Sequence, residues 1–192
     1  MTRALFVLLL AAAAPLASDG QTPLAQTTST QTTSTQTTPA QSPPGGTTRP
    51  DCSAPEHHQF DFWLGTWTVT AGGKPAGSSR IESVMKGCGV LEHWSSAGGG
   101  HGTSLNFYDR RTKTWSQAWI DEGGNALHLS GTFADGKMVL ASAPRKTDAG
   151  VDVQRITWSK NADGTVRQLW ESSTDGGTTW TVAFDGTYAP RP

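Results

Sequence analysis

The sequence predicts an all-β domain, a single antiparallel meander closing into a barrel of about ten strands. Three observations predict it. Strand-like segments recur at intervals of about 8–12 residues from position 67 to the end. The breaks between them carry turn chemistry such as Asp135-Gly136, Asp163-Gly164 and Glu122-Gly123-Gly124, where glycine supplies the positive φ of a tight hairpin. No stretch of ten or more residues has helical periodicity, so nothing would cover a parallel sheet. A meander that closes on itself has no unpaired edges, which favours a barrel over a two-sheet sandwich.

The barrel does not begin at residue 1. Arg3, the apolar run 4–14 and the small residues before Gly20 have the form of a secretory signal peptide over residues 1–20. The run is too short to span a bilayer, which takes roughly 20 residues. Residues 21–50 are almost entirely Thr, Gln, Ser, Pro and Gly, with the repeat around Gln26, Gln31 and Gln36. So few apolar side chains cannot offset the entropy of ordering, and a disordered linker is expected. Residues 51–192 then form one domain of ordinary size. All eight tryptophans fall in it. The expected location is secreted or periplasmic, without membrane insertion once the leader is removed.

Net charge is −1 with both signs interspersed. That excludes the basic footprint of a nucleic-acid binder. The two cysteines, Cys52 and Cys88, are an even pair in an oxidising compartment and are expected to bond. A bridge there would tie the lead-in segment to the early strands, worth about 4 kcal/mol in the chain-entropy picture.

Within the domain, residues 55–59 suggest one helical turn. Phe60, Phe62, Trp63 and Trp67 then crowd an aromatic cluster into the entry of the first strand, 67–71. Further strands are expected at 78–84, 90–96, 102–108, 114–120, 126–133, 137–143, 151–159, 165–172 and 179–188. A four-residue loop at 110–113 would set Tyr108 opposite Trp115 and Asn106 opposite Gln117. One face then carries Ser104, Asn106, Tyr108, Trp115, Gln117 and Trp119, the other Leu105, Phe107, Ala118 and Ile120. For the hairpin around Asp163-Gly164, a loop of two or four residues puts Arg155, Thr157, Gln168 and Trp170 on one face. A loop of three reverses this, because a one-residue slip turns every side chain over. Glu92, Trp94 and His128 are assigned to the same mixed aromatic and polar face.

Such a face can line a barrel interior and hold a small amphipathic or polar ligand. The expected ligand-binding set is Glu92, Trp94, Asn106, Tyr108, Gln117, Trp119, His128, Arg155, Gln168 and Trp170. The opposing reading makes the aliphatic face the core and the mixed face an outer surface or dimer interface, so a homodimer stays open. No catalytic residue is assigned. The five histidines, His57, His58, His93, His101 and His128, have no metal-ligand spacing, so no metal is expected. Glu92, His128 and Arg155 would form an acid–base set only if they converge.

Ser173-Thr174-Asp175-Gly176-Gly177-Thr178-Thr179-Trp180 resembles the Asp-box hairpin of sialidase propellers, whose chemistry is structural. One copy makes a well-formed hairpin, not a propeller. More broadly, Gly65-Thr66-Trp67 resembles the start of lipocalins and related calycins. Together with Phe60 through Val69, Arg80-Ile81-Glu82, Cys88, Leu91-Glu92, Trp94, Asn106 through Asp109, Arg155 through Trp158, Arg167 through Trp170, Trp180 and Phe184 through Tyr188, it resembles a bacterial family of secreted lipocalin-like proteins of unassigned function. The resemblance implies a small calycin-type barrel. Haem-binding nitrobindins share the Gly-x-Trp start and take an axial histidine from their last strands. No histidine follows His128 here, so no cofactor is expected. The sequence thus points to a small-molecule binding module, with an enzyme or a protein-interaction module as alternatives.

Overall fold

A computed structural model describes residues 51–191. The expected signal peptide and linker lie outside the described residues. Eleven strands follow two 3-10 turns, Pro55–His58 and Asp61–Trp63. They are β1 (Gly65–Ala71), β2 (Lys74–Val84), β3 (Gly89–Ser96), β4 (His101–Asp109), β5 (Thr114–Asp121), β6 (Ala126–Ala134), β7 (Lys137–Ala141), β8 (Arg145–Thr147), β9 (Gly150–Lys160), β10 (Val166–Ser173) and β11 (Thr181–Pro190). Consecutive strands pair antiparallel except β7 and β8, β7 pairs β9 instead, and β11 returns to β1. Ten strands therefore close a barrel, and β8 pairs only with the start of β9. That eleventh strand has three exposed residues and no alternating apolar pattern, which is why it is not readable from the sequence.

The ladder between β4 and β5 pairs Tyr108 with Trp115 and Asn106 with Gln117, around a loop of residues 110–113. The face these residues share is the inside of the barrel. Asn106 and Trp115 are almost fully buried, whereas Leu105, Phe107 and Ile120 are exposed on the outside. The reading that made the aliphatic face the core is overturned. Inward positions around Asn106 and Trp115 are buried, polar groups included, because those groups find hydrogen bonds.

One end of the barrel is filled. Phe60 and Trp63 are fully buried and stack with centroids 4.9 Å apart. Phe60 meets the edges of Trp115 and Trp158 at 5.7 and 5.2 Å, and Trp63 meets Trp158 and Tyr188 at 5.5 and 6.1 Å. Trp67 donates its indole N–H to the Trp63 carbonyl, and Trp115 donates to the Gln59 side chain. Each such ring removes some 150–250 Å² of surface from water, so the cluster acts as a hydrophobic plug. The Cys52–Cys88 disulfide is formed, with Cα atoms 5.1 Å apart, and ties the segment ahead of the plug to the entry of β3. Among the described residues, no helix is long and apolar enough to cross a membrane.

At the far end, the Asp-box-like hairpin between β10 and β11 is a closed hydrogen-bond unit. The Ser173 hydroxyl accepts from the Asp175 and Gly177 amides. The Asp175 carboxylate accepts from the Thr178 and Thr179 amides and the Thr179 hydroxyl, which holds it far below the usual carboxylate range.

Truncating Phe60 to Ala is expected to lower the unfolding free energy by about 3–5 kcal/mol, measured by urea denaturation of the oxidised protein. A loss under about 1 kcal/mol would show that the plug does not hold the barrel together.

Candidate functional site

Above the plug the lumen is not filled. A cavity of about 260 Å³ is walled by Trp94, Trp119, Trp158, Trp170, Phe184 and Tyr188. Leu127, Ile156 and Ala183 complete its apolar lining, and its polar groups are Glu92, Gln117 and Gln168. It continues toward a wider mouth cleft of about 950 Å³, with which it shares Trp119, Leu127 and Trp170.

Space for the rings comes from glycines on neighbouring inward positions. A β-carbon on Gly102 would sit 2.3 Å from the Trp119 indole, and one on Gly186 2.3 Å from the Phe184 ring. A β-carbon on Gly77 would meet the Ser95 carbonyl oxygen at 2.2 Å and Trp94 at 2.9 Å. Three aromatic walls therefore lie over bare backbone. With side chains at those positions the rings would be displaced, and the lumen is the space open to them.

The polar groups form two sets. On the β2–β5 side, Glu92 accepts hydrogen bonds from the hydroxyls of Ser79 at 3.1 Å and Ser104 at 2.9 Å. Asn106 donates to Ser104 and to the Val90 carbonyl, and Gln117 donates to Asn106 at 2.8 Å. Across the lumen, Gln168 accepts from the Tyr188 hydroxyl at 2.5 Å and the Trp158 indole at 3.2 Å. Two donors on one oxygen fix the amide orientation. The Gln168 –NH₂ group is left without a partner among the described residues. Burial and the neighbouring Glu92 raise the Tyr188 phenol well above its ordinary value, so it stays a donor. Trp170 donates to the Gln154 side chain at 2.7 Å.

Of the ten residues expected to bind a ligand, Glu92, Trp94, Gln117, Trp119, Gln168 and Trp170 line this cavity. Asn106 lies beneath it, supporting Gln117. Tyr108 packs at the plug end, against Trp115 at 6.2 Å and edge-on to His57 at 5.4 Å. His128 and Arg155 are not brought to the lumen. His128 pairs with Ala118 on the outward register and is exposed, near the rim of the mouth cleft.

The face expected for Arg155 and Thr157 is corrected by the hairpin between β9 and β10. Lys160 pairs with Val166, so the loop has five residues, an odd number, and the parity reverses. Arg155 faces outward, where its guanidinium bonds Glu171 at 2.8 Å and lies 3.9 Å over the Trp180 ring. Ile156 and Trp158 turn inward instead. These two, with Tyr188 and Phe184, are lining residues the sequence reasoning missed. For Phe184, the inward Gly186 against its ring was the available signal. The acid–base set of Glu92, His128 and Arg155 does not converge. Among the described residues, no group of three His, Cys, Asp or Glu side chains is placed to hold a metal.

Two buried titratable groups pull in opposite directions. Burial pushes the Glu92 carboxyl up to about 7, against the lowering effect of its two serines. Protonated Glu92 therefore contributes stability that is fully present below pH 4.5 and lost as pH rises through about 7. The contribution is on the order of 3 kcal/mol at most. His57 is buried with neither ring nitrogen bonded, and burial holds it below its ordinary value of 6.5. Its contribution is present above pH 6.5 and lost as pH falls toward its folded value.

Comparison with family models and with curated proteins returned no match to this chain.

In Glu92→Gln the gain in thermal midpoint over wild type is expected to grow as pH rises from 5 to 8. A pH-independent difference would mean that Glu92 does not titrate between the folded and unfolded states.

Proposed function

We propose that this chain is an extracytoplasmic binding module that takes a small, largely apolar molecule with one polar group into the barrel lumen. One observation carries the reading. The closed barrel is sealed at one end by Phe60 and Trp63, and it keeps at the other an aromatic cavity in which Gln168 has an unpaired donor. Ligand pockets are mostly apolar, with few fixed polar groups, and this lining has that composition. A barrel meant only to be stable would fill its interior, since an empty volume forfeits dispersion contacts. The disulfide supports an oxidising compartment, in line with the leader expected at residues 1–20.

Native mass spectrometry of the protein purified from its own host is expected to show a retained small molecule, released on unfolding. A mass equal to that of the bare chain across independent preparations would overturn the reading. In Gly102→Ala the added β-carbon displaces the Trp119 ring into the cavity. That variant is expected to lose the retained ligand, at a stability cost of about 1–3 kcal/mol. Undiminished ligand occupancy in Gly102→Ala would place the molecule elsewhere.

A further inference from the structure

The lumen has a charge character that its aromatic content hides. Its lining holds one carboxylic acid, Glu92, and among the described residues no Lys, Arg or His. Glu92 is 4 % exposed, and among the described residues its only side-chain partners are the hydroxyls of Ser79 and Ser104. No basic side chain among the described residues pairs with it. Arg80 and His93, on the same two strands, face outward and meet Glu82 instead. Tyr188 spends its hydroxyl on Gln168. An ionised carboxylate buried in this way lacks a counter-charge, and such a site is costly unless a ligand supplies one.

Around it stand aromatic rings. Trp94 meets Phe184 edge-to-face at 6.5 Å and lies 6.5 Å from Tyr188, with Trp119, Trp158 and Trp170 completing the wall. Aromatic π surfaces attract cations that have lost their water, and do so most for diffuse charges such as alkylammonium groups. The approach has the same sign. The mouth carries Asp121, Glu122 and Asp152 against His101 and His128, and its Arg145 is paired with Asp152 at 3.3 Å. An anionic ligand would find no basic partner inside. A neutral one would leave the ionised carboxylate without a counter-charge.

We propose that the lumen selects a small organic cation, a quaternary or protonated amine held between the Glu92 carboxylate and the aromatic walls. The assignment rests on the reading of the lumen as a ligand site and names the chemical class that site takes. Binding is coupled to proton release. The Glu92 carboxyl is held up to about 7, so a cation must drive off its proton at neutral and lower pH. The groups around the carboxyl leave little else to titrate: Ser79 from β2 and Ser104 from β4 do not ionise, and Tyr188 from β11 stays protonated.

Choline and its neutral carbon isostere 3,3-dimethylbutan-1-ol separate charge from shape, and neither titrates between pH 5.5 and 8. Both are titrated into the full oxidised chain, followed by tryptophan fluorescence and calorimetry. Choline is expected to bind at least about tenfold more tightly at pH 8, with the advantage shrinking toward parity at pH 5.5. Glu92→Gln keeps the shape and removes the charge, so it is expected to abolish the preference while retaining the alcohol. The pH dependence of the wild-type protein carries the test if that variant fails to fold. Equal affinity of wild type for both probes at pH 8 overturns the cation assignment and leaves the pocket reading standing. So does a choline preference that persists unchanged at pH 5.5. Binding of neither probe overturns the assignment as well. The pocket reading falls with it only if the host-purified protein also carries no ligand.

Discussion

The interior of this protein depends on the stacking of Phe60 on Trp63 and their wedging against Trp158 and Tyr188. A ten-stranded barrel is wide enough that its own side chains need not fill it. Here the chain fills one end with a segment that precedes the first strand, and the disulfide ties that segment to β3. Trp158 and Tyr188 then serve two purposes. One side of each contacts the plug, and the other forms the floor of the cavity. The depth of the lumen is thus set by the plug.

The cavity keeps its shape through hydrogen bonds that run across strands. Ser79, Glu92, Ser104, Asn106 and Gln117 form a continuous buried network from β2 to β5. Buried polar groups are costly unless bonded, and each member of this network has at least one partner. The network fixes the rotamers of the groups that face the lumen and leaves Glu92 with oxygen partners alone. A carboxyl with two hydroxyl donors and no cation sits between its charged and neutral forms near neutral pH. The same arrangement makes the interior receptive to positive charge and less stable at high pH.

Much of this was legible in the sequence because it is local. The 110–113 loop has four residues, so the pairing of Asn106 with Gln117 and Tyr108 with Trp115 follows from turn geometry and alternation. The 161–165 loop is a five-residue connection around Asp163-Gly164, where the Asp163 carboxylate accepts from the Thr165 amide and hydroxyl. Nothing in the spacing separates that loop from one of four residues. The consequence is large, because the parity of β9 decides whether Arg155 or Trp158 enters the lumen. Arg155 instead locks the Asp-box-like hairpin to the wall through Glu171 and Trp180. For His128, no turn pattern tied its strand to the mixed face, and the ladder with Ala118 turns it outward.

By itself, the sequence determined the all-β class, the strand spacing, the cysteine pair and the aromatic entry segment. These rest on alternation, turn chemistry and composition, which act over a few residues. Tertiary structure alone decided which face points inward. Inside and outside are defined only when β11 closes onto β1, and no single hairpin carries that information. Closure also made the lumen an acidic, aromatic cavity. It gathers Glu92 of β3, Gln168 and Trp170 of β10 and Tyr188 of β11 around one space, though 96 positions separate Glu92 from Tyr188.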